Sequence, residues 1–140
     1  MACVHLDTNA YRAFKEGSDD AQFILSRAER IVISVIVIGE LRAGFAVGTR
    51  AVQNNRELLE FLGSPRVRVA NITPDLTERY AAIYAQLRHD GQPIPTNDMW
   101  IAAVAKADEG AVLWSQDAHF RHIRGLRLAR DAADFRRLAG

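Results

Sequence analysis

Cysteine is almost absent: the chain of 140 residues carries one, Cys3. A single thiol excludes an intramolecular disulfide and a cysteine-rich zinc site. Cys3 lies in an apolar, strand-like run, which predicts a buried thiol. Long hydrophobic runs are also missing. The longest uncharged apolar stretch, 31–39, has nine residues, whereas a membrane span needs about 20. The first residues carry no basic cluster and meet an acid at Asp7, unlike a secretory signal. The expectation is a cytoplasmic protein with no membrane role. Lysine is scarce: of 18 basic residues only Lys15 and Lys106 are lysine. The arginines leave many planar guanidinium groups suited to phosphate. Neither charge sign dominates, with 18 basic residues against 17 acidic ones. No global basic field therefore announces nucleic-acid binding, and any such role must come from local charge separation. Repeats and low-complexity linkers are absent.

What is present is ordinary globular material, 49% hydrophobic and 25% charged, which argues against disorder. The length predicts a single domain over 1–140, able to bury roughly 68% of its unfolded surface. Apolar runs at 2–6, 31–34, 67–70, 111–114 and 126–128 read as strands. Stretches with helical spacing fall between them, at 10–16, 19–30, 36 onward, 50–62, 74–90, 97–108, 117–123 and 131–138. Thr73 and Pro74 supply a cap and a proline at the first helical position. The helix they start should bury Leu76, Tyr80, Ile83 and Leu87, spaced by three and four. Strands alternating with helices predict an α/β fold, a central parallel sheet of about five strands flanked by helices on both faces.

In open α/β sheets, ligands bind outside the carboxyl ends of the strands. Asp7 ends the first strand, and Asp117 follows the 111–114 strand by two residues. Glu40 is the first charge after the apolar run, on a helix expected to pack on the sheet. Asp98 opens the 97–108 helix, on a small-residue face with Ala102 and Ala105. Each acid alone has a bland explanation: Asp7, Asp98 and Asp117 as helix caps, Glu40 as a solvated or arginine-paired side chain. Gathered in one pocket, they repel one another until they take up protons or bind a cation. Oxygen donors favour Mg²⁺ or Mn²⁺. Such an ion lowers the pKa of water and stabilises charge on a phosphate, which points to phosphodiester hydrolysis.

The local sequences Leu6-Asp7-Thr8-Asn9, Gly39-Glu40-Leu41, Asn97-Asp98-Met99-Trp100 and Leu113-Trp114-Ser115-Gln116-Asp117 carry a resemblance. In order and spacing, across nearly the whole chain, they resemble the PIN-domain family, in particular the VapC/FitB-like toxins of toxin–antitoxin pairs. The resemblance implies a single PIN-like domain and a metal-dependent endoribonuclease using Mg²⁺ or Mn²⁺. It carries Asp7, Glu40 and Asp98 onto three core acidic positions and Asp117 onto a fourth, all four catalytic and metal-binding. Thr8, Asn9 and Ser115 match polar positions that support them; many relatives have threonine where Ser115 stands. Some relatives carry a further acid where this chain has His119, so one ion is expected more firmly than two. The resemblance also implies an RNA substrate, a small cognate antitoxin and a homodimer, with the apolar helices across 36–62 as candidate surfaces. The alternative within the fold is an RNA-binding or housekeeping nuclease domain without a toxin role.

His119 and His122 are expected at the surface or as caps, because neither a cysteine nor a third histidine completes a zinc set near them. His5 is expected in the core or at its edge. Trp100, Trp114, Phe120, Tyr80 and Tyr84 could stack on bases, but core packing is the default. Other phosphotransfer folds fit poorly. A haloacid-dehalogenase-like domain expects an aspartate where Asn9 stands. It and receiver-like domains also expect a lysine after a late strand, and Lys106 lies inside a helix.

Overall fold

A computed structural model describes residues 2–139. Strand β1 (Ala2–Leu6) leads through α1 (Thr8–Lys15) and α2 (Asp19–Arg27) to β2 (Ala28–Ser34). Then come α3 (Val35–Val47), α4 (Ala51–Leu62), β3 (Val67–Ala70), α5 (Pro74–His89) and α6 (Thr96–Ala107). The chain closes with β4 (Val112–Trp114), a 3₁₀ turn at Ala118–His122, β5 (Leu128–Ala129) and α7 (Ala132–Ala139). The five strands form one sheet in the order β3-β2-β1-β4-β5, and every pairing is parallel. The expected α/β architecture is the observed one.

Both faces of the sheet are covered. Val32 and its neighbours Ile31 and Ile33 are all buried, as are Val112, Leu113 and Trp114. Successive strand residues point to opposite faces, so consecutive burial requires helices on each side. The order places β1 at the centre. From β1 the chain works outward through β2 and β3, then returns to lay β4 and β5 on the other flank. The reversal between β1 and β4 leaves a crevice at their carboxyl ends, the position where such sheets bind ligands.

Several expectations are corrected. The helix expected over 19–30 ends at Arg27, and Ala28 to Arg30 belong to β2. Polar Glu29 and Arg30 hid the strand, because a strand's end can be solvated while its middle is buried. The last strand lies at Leu128–Ala129, not 126–128. Thr73 precedes α5 but its hydroxyl makes no capping bond, although Pro74 does occupy the first turn. Cys3 is only partly buried. Among the aromatics, Trp114 and Phe120 are core. Tyr80 and Trp100 are half-buried, stacked with ring centroids 4.1 Å apart. Tyr84 continues the stack and is 46% exposed. Helices α5 and α6 pack side by side at the margin of the fold, so aromatics between them reach solvent. Among the described residues, no helix is long and apolar enough to cross a membrane.

Candidate functional site

Asp7 is fixed by the strand it ends. Leu6 pairs in register with Trp114, so the next residues of β1 and β4, Asp7 and Ser115, leave the sheet together. Ser115 is fully buried and Asp7 is 3% exposed. Asp7 caps α1, accepting a bond from the Ala10 N–H at 2.8 Å. Its other oxygen accepts a bond from the Ser115 hydroxyl. The capping explanation of Asp7 is therefore true and incomplete, since the carboxylate also faces the crevice. Burial pushes its pKa from 3.8 up to about 6, and the charges of Asp98 and Asp117 push the same way. The Ser115 and Ala10 bonds pull in the opposite direction. Among the described residues no ion pair offsets the charge, although Arg12 lines the same cleft.

Glu40 arrives on α3, whose start is set by Ser34: its hydroxyl accepts from the Val37 N–H at 3.3 Å. The Glu40 side chain is half-buried and held at both oxygens. Thr8 donates to Oε1 at 2.5 Å and Asn97 to Oε2 at 3.3 Å. No arginine pairs with it among the described residues. Asp98 sits in the first turn of α6, with its side chain 18% exposed. Burial raises its pKa, helped by Glu40 and Asp117 and opposed by His119. Asp117 lies beyond β4, its side chain 41% exposed. Its N–H donates to Ser115 Oγ at 3.0 Å, so one serine touches two of the acids.

Asp7, Glu40, Asp98 and Asp117 line one open cleft of about 470 Å³, together with Thr8, Asn9 and Arg12. The set scattered along the sequence is thus brought to one place. Asn9 stands at the rim, exposed, and accepts a bond from Arg12 at 3.4 Å rather than supporting Asp7. His119 overturns its expected surface or capping role. Its Nε2 lies 2.8 Å from Asp98 Oδ2, and its Nδ1 lies 3.5 Å from Asp117 Oδ1. The 3₁₀ turn that starts at Ala118, just after Asp117, carries it there. Asn97 and Arg12 were also missed. Asn97 could have been noticed as the neighbour of an acid at a helix start, whereas only the packing of α1 against α3 places Arg12.

The residues fit a divalent cation. Among the described residues Asp7 is a buried carboxylate with no ion-pair partner, and three further acids share its cleft. The donors are mainly oxygen, which suits hard ions. Asp98, Asp117 and His119 each offer a donor atom lying within 4.8 Å of the others. Outer bonds from Ser115, Thr8 and Asn97 hold the acids in place, as supporting partners do around ligand sets.

Comparison with known proteins gives the family and the fold. The model of the PIN domain family matches residues 4–126. The chain belongs to the PIN domain family. Ribonuclease VapC2 of Rickettsia felis is similar to it, 29% identical over 105 residues, which cover 75% of this chain and 77% of that protein. Two solved structures share the fold over nearly their whole length. One is VapBC2 from Rickettsia felis bound to a DNA fragment from its promoter, with a TM-score of 0.78, 29% identity, and coverage of 91% of this chain and 97% of that one. The other is VapBC-1 from nontypeable Haemophilus influenzae, with a TM-score of 0.79, 26% identity, and coverage of 94% and 98%. PIN-domain ribonucleases are metal-dependent, and this PIN domain presents its acids at the switch point of its sheet.

Proposed function

We propose that the protein is a metal-dependent endoribonuclease, the toxin of a VapBC-type toxin–antitoxin pair, acting in the cytoplasm as one domain over 1–140. The observation that carries this is the convergence of Asp7, Glu40, Asp98 and Asp117 on one cleft in a PIN domain. The relative named as a ribonuclease and the VapBC structures supply the substrate class and the partner: RNA and a small antitoxin. A homodimer belongs to the same reading.

In it, Asp7 and Asp98 hold Mg²⁺ or Mn²⁺, with Glu40 and Asp117 completing the set. The ion, when bound, lowers the pKa of water and offsets charge on the phosphate. This chain's residues do the rest. Ser115 and the Ala10 N–H lock the Asp7 rotamer. Thr8 and Asn97 hold Glu40 so that a carboxylate oxygen can accept a hydrogen bond from the attacking water. His119 restrains Asp98 and Asp117 against their mutual repulsion. Arg12, at the rim of the cleft, offers a guanidinium to the non-bridging oxygens of the RNA backbone.

The test is cleavage of single-stranded and hairpin RNA by the purified chain, with Mg²⁺ and with EDTA. Cleavage should need the ion and fall at least about 100-fold in Asp98→Asn. Cleavage that persists in EDTA, or in Asp98→Asn at the native rate, contradicts the reading. An RNA-binding module without activity would retain RNA and leave it intact under every condition.

A further inference from the structure

At the opposite end of β1 from the acidic cleft lies a second cluster of different chemistry. Cys3 and His5 are two residues apart on the strand, so their side chains share a face. Asp108, which caps the C-terminal end of α6, reaches both. The Cys3 thiol donates to Asp108 Oδ2 at 3.2 Å, and His5 Nε2 lies 2.8 Å from the same oxygen. The three donor atoms all lie within 4.8 Å of one another. Arg30, which pairs with Cys3 in register, donates to Asp108 Oδ1 at 3.2 Å and, more weakly, to Oδ2 at 3.4 Å. His5 is 4% exposed, whereas Cys3 borders an open cleft of about 520 Å³ lined by two acids, Glu29 and Glu109, and three arginines, Arg30, Arg66 and Arg68.

We infer that Cys3 Sγ, His5 Nε2 and Asp108 Oδ2 form a binding site for a thiophilic divalent cation, with Zn²⁺ the fitting ion. One sulfur, one imidazole nitrogen and one carboxylate oxygen are the donors zinc takes, and sulfur disfavours Mg²⁺. A tetrahedral zinc centre spaces such donors about 3.3–3.6 Å apart. The present separations reach this by small side-chain rotations. Cys3 loses its thiol proton to solvent on binding, and the imidazole stays neutral with its proton on Nδ1. Thiolate and carboxylate together balance the two charges of the ion. Arg30 stays on Oδ1 and orients the carboxylate, as outer partners of metal ligands do. The fourth position faces the cleft and takes a water molecule. The ion ties the start of β1 to the end of α6, the helix whose first turn carries Asp98.

Because Cys3 is the only cysteine, every thiol signal reports this site alone. The full-length protein, with Mg²⁺ in excess to occupy the acidic cleft, is titrated with Co²⁺. The inference predicts a near-ultraviolet thiolate-to-cobalt absorption band that saturates at one ion per chain and is displaced by Zn²⁺. Zn²⁺ should slow labelling of the thiol by a disulfide reagent at least about tenfold. It should raise the melting temperature of the native chain. Cys3→Ser should lose the band and the thermal shift while keeping Mg²⁺-dependent RNA cleavage within about twofold of native. Absence of the band at saturating Co²⁺ overturns the inference, as does thiol labelling that Zn²⁺ leaves unchanged. Neither result touches the nuclease reading, which rests on the other end of the sheet.

Discussion

Asp7 sets the energetics at the residue scale. The folded protein binds its proton more tightly than the unfolded chain does. This contribution to stability is therefore whole below about pH 3.8 and is lost as pH rises through about 6. Above that, holding Asp7 ionised costs the metal-free fold up to about 3 kcal/mol. Asp7→Asn removes the charge while its amide oxygen still accepts from the Ala10 N–H. Urea denaturation in EDTA should show the variant more stable than the native chain at pH 7.5, with the gap closing towards pH 4. A variant less stable than native at pH 7.5 would mean that the carboxylate is structural. The local motifs made Asp7 visible in the sequence, because a strand followed by three capping residues is a short-range pattern. They hid His119. Its bonds to Asp98 and Asp117 depend on a tight 3₁₀ turn and on the docking of α6 beside β4, neither of which residue types reveal.

At the scale of elements, three of the four acids are aimed by helices whose starts are fixed. Asp7 caps α1, and Ser34 caps α3 six residues before Glu40. Asp98 stands in the first turn of α6. Loss of a cap loosens the turn that aims the side chain. Ser34→Ala should cost about 1 kcal/mol, a melting shift of about 3–5 °C, and should lower RNA cleavage more than it lowers stability. Thermal melts and initial rates at a temperature where both proteins are folded check this. Unchanged rates would show that Glu40 is placed by Thr8 and Asn97 alone. The helices and most strand centres were legible from periodicity. The boundary at Ala28 was not, since Glu29 and Arg30 suit a solvated helix end as well as a strand entering the sheet. The stack of Tyr80, Tyr84 and Trp100 likewise has core-like spacing, and only the marginal position of α5 and α6 exposes it.

At the scale of the molecule, the parallel order β3-β2-β1-β4-β5 makes the site. It brings the exits of β1 and β4 together, although the residues that leave them are separated by most of the chain. Alternation of strands and helices foretold a parallel sheet, but strand order is not a local property. The sequence left it open, and only the structure supplies it. One region of the surface fits the assembly expected of a VapBC pair. Val52 and Leu59, seven apart and so on one face of α4, are 76% and 59% exposed. Val47, at the end of α3, is 90% exposed. Apolar side chains so placed favour a protein partner over water. Val52→Glu with Leu59→Glu should abolish either self-association or antitoxin binding, as read by light scattering and co-purification, and leave the fold intact. A double variant with native mass and native antitoxin binding would move the interface elsewhere.

In the function proposed, four acids from distant parts of the chain act as one cation site. Anomalous diffraction from crystals soaked in Mn²⁺ tests it most directly. A manganese peak in the cleft, bonded to oxygens of Asp7 and Asp98, is the expected result. A fully soaked crystal whose cleft shows no peak, or whose only peak lies away from these carboxylates, would contradict it.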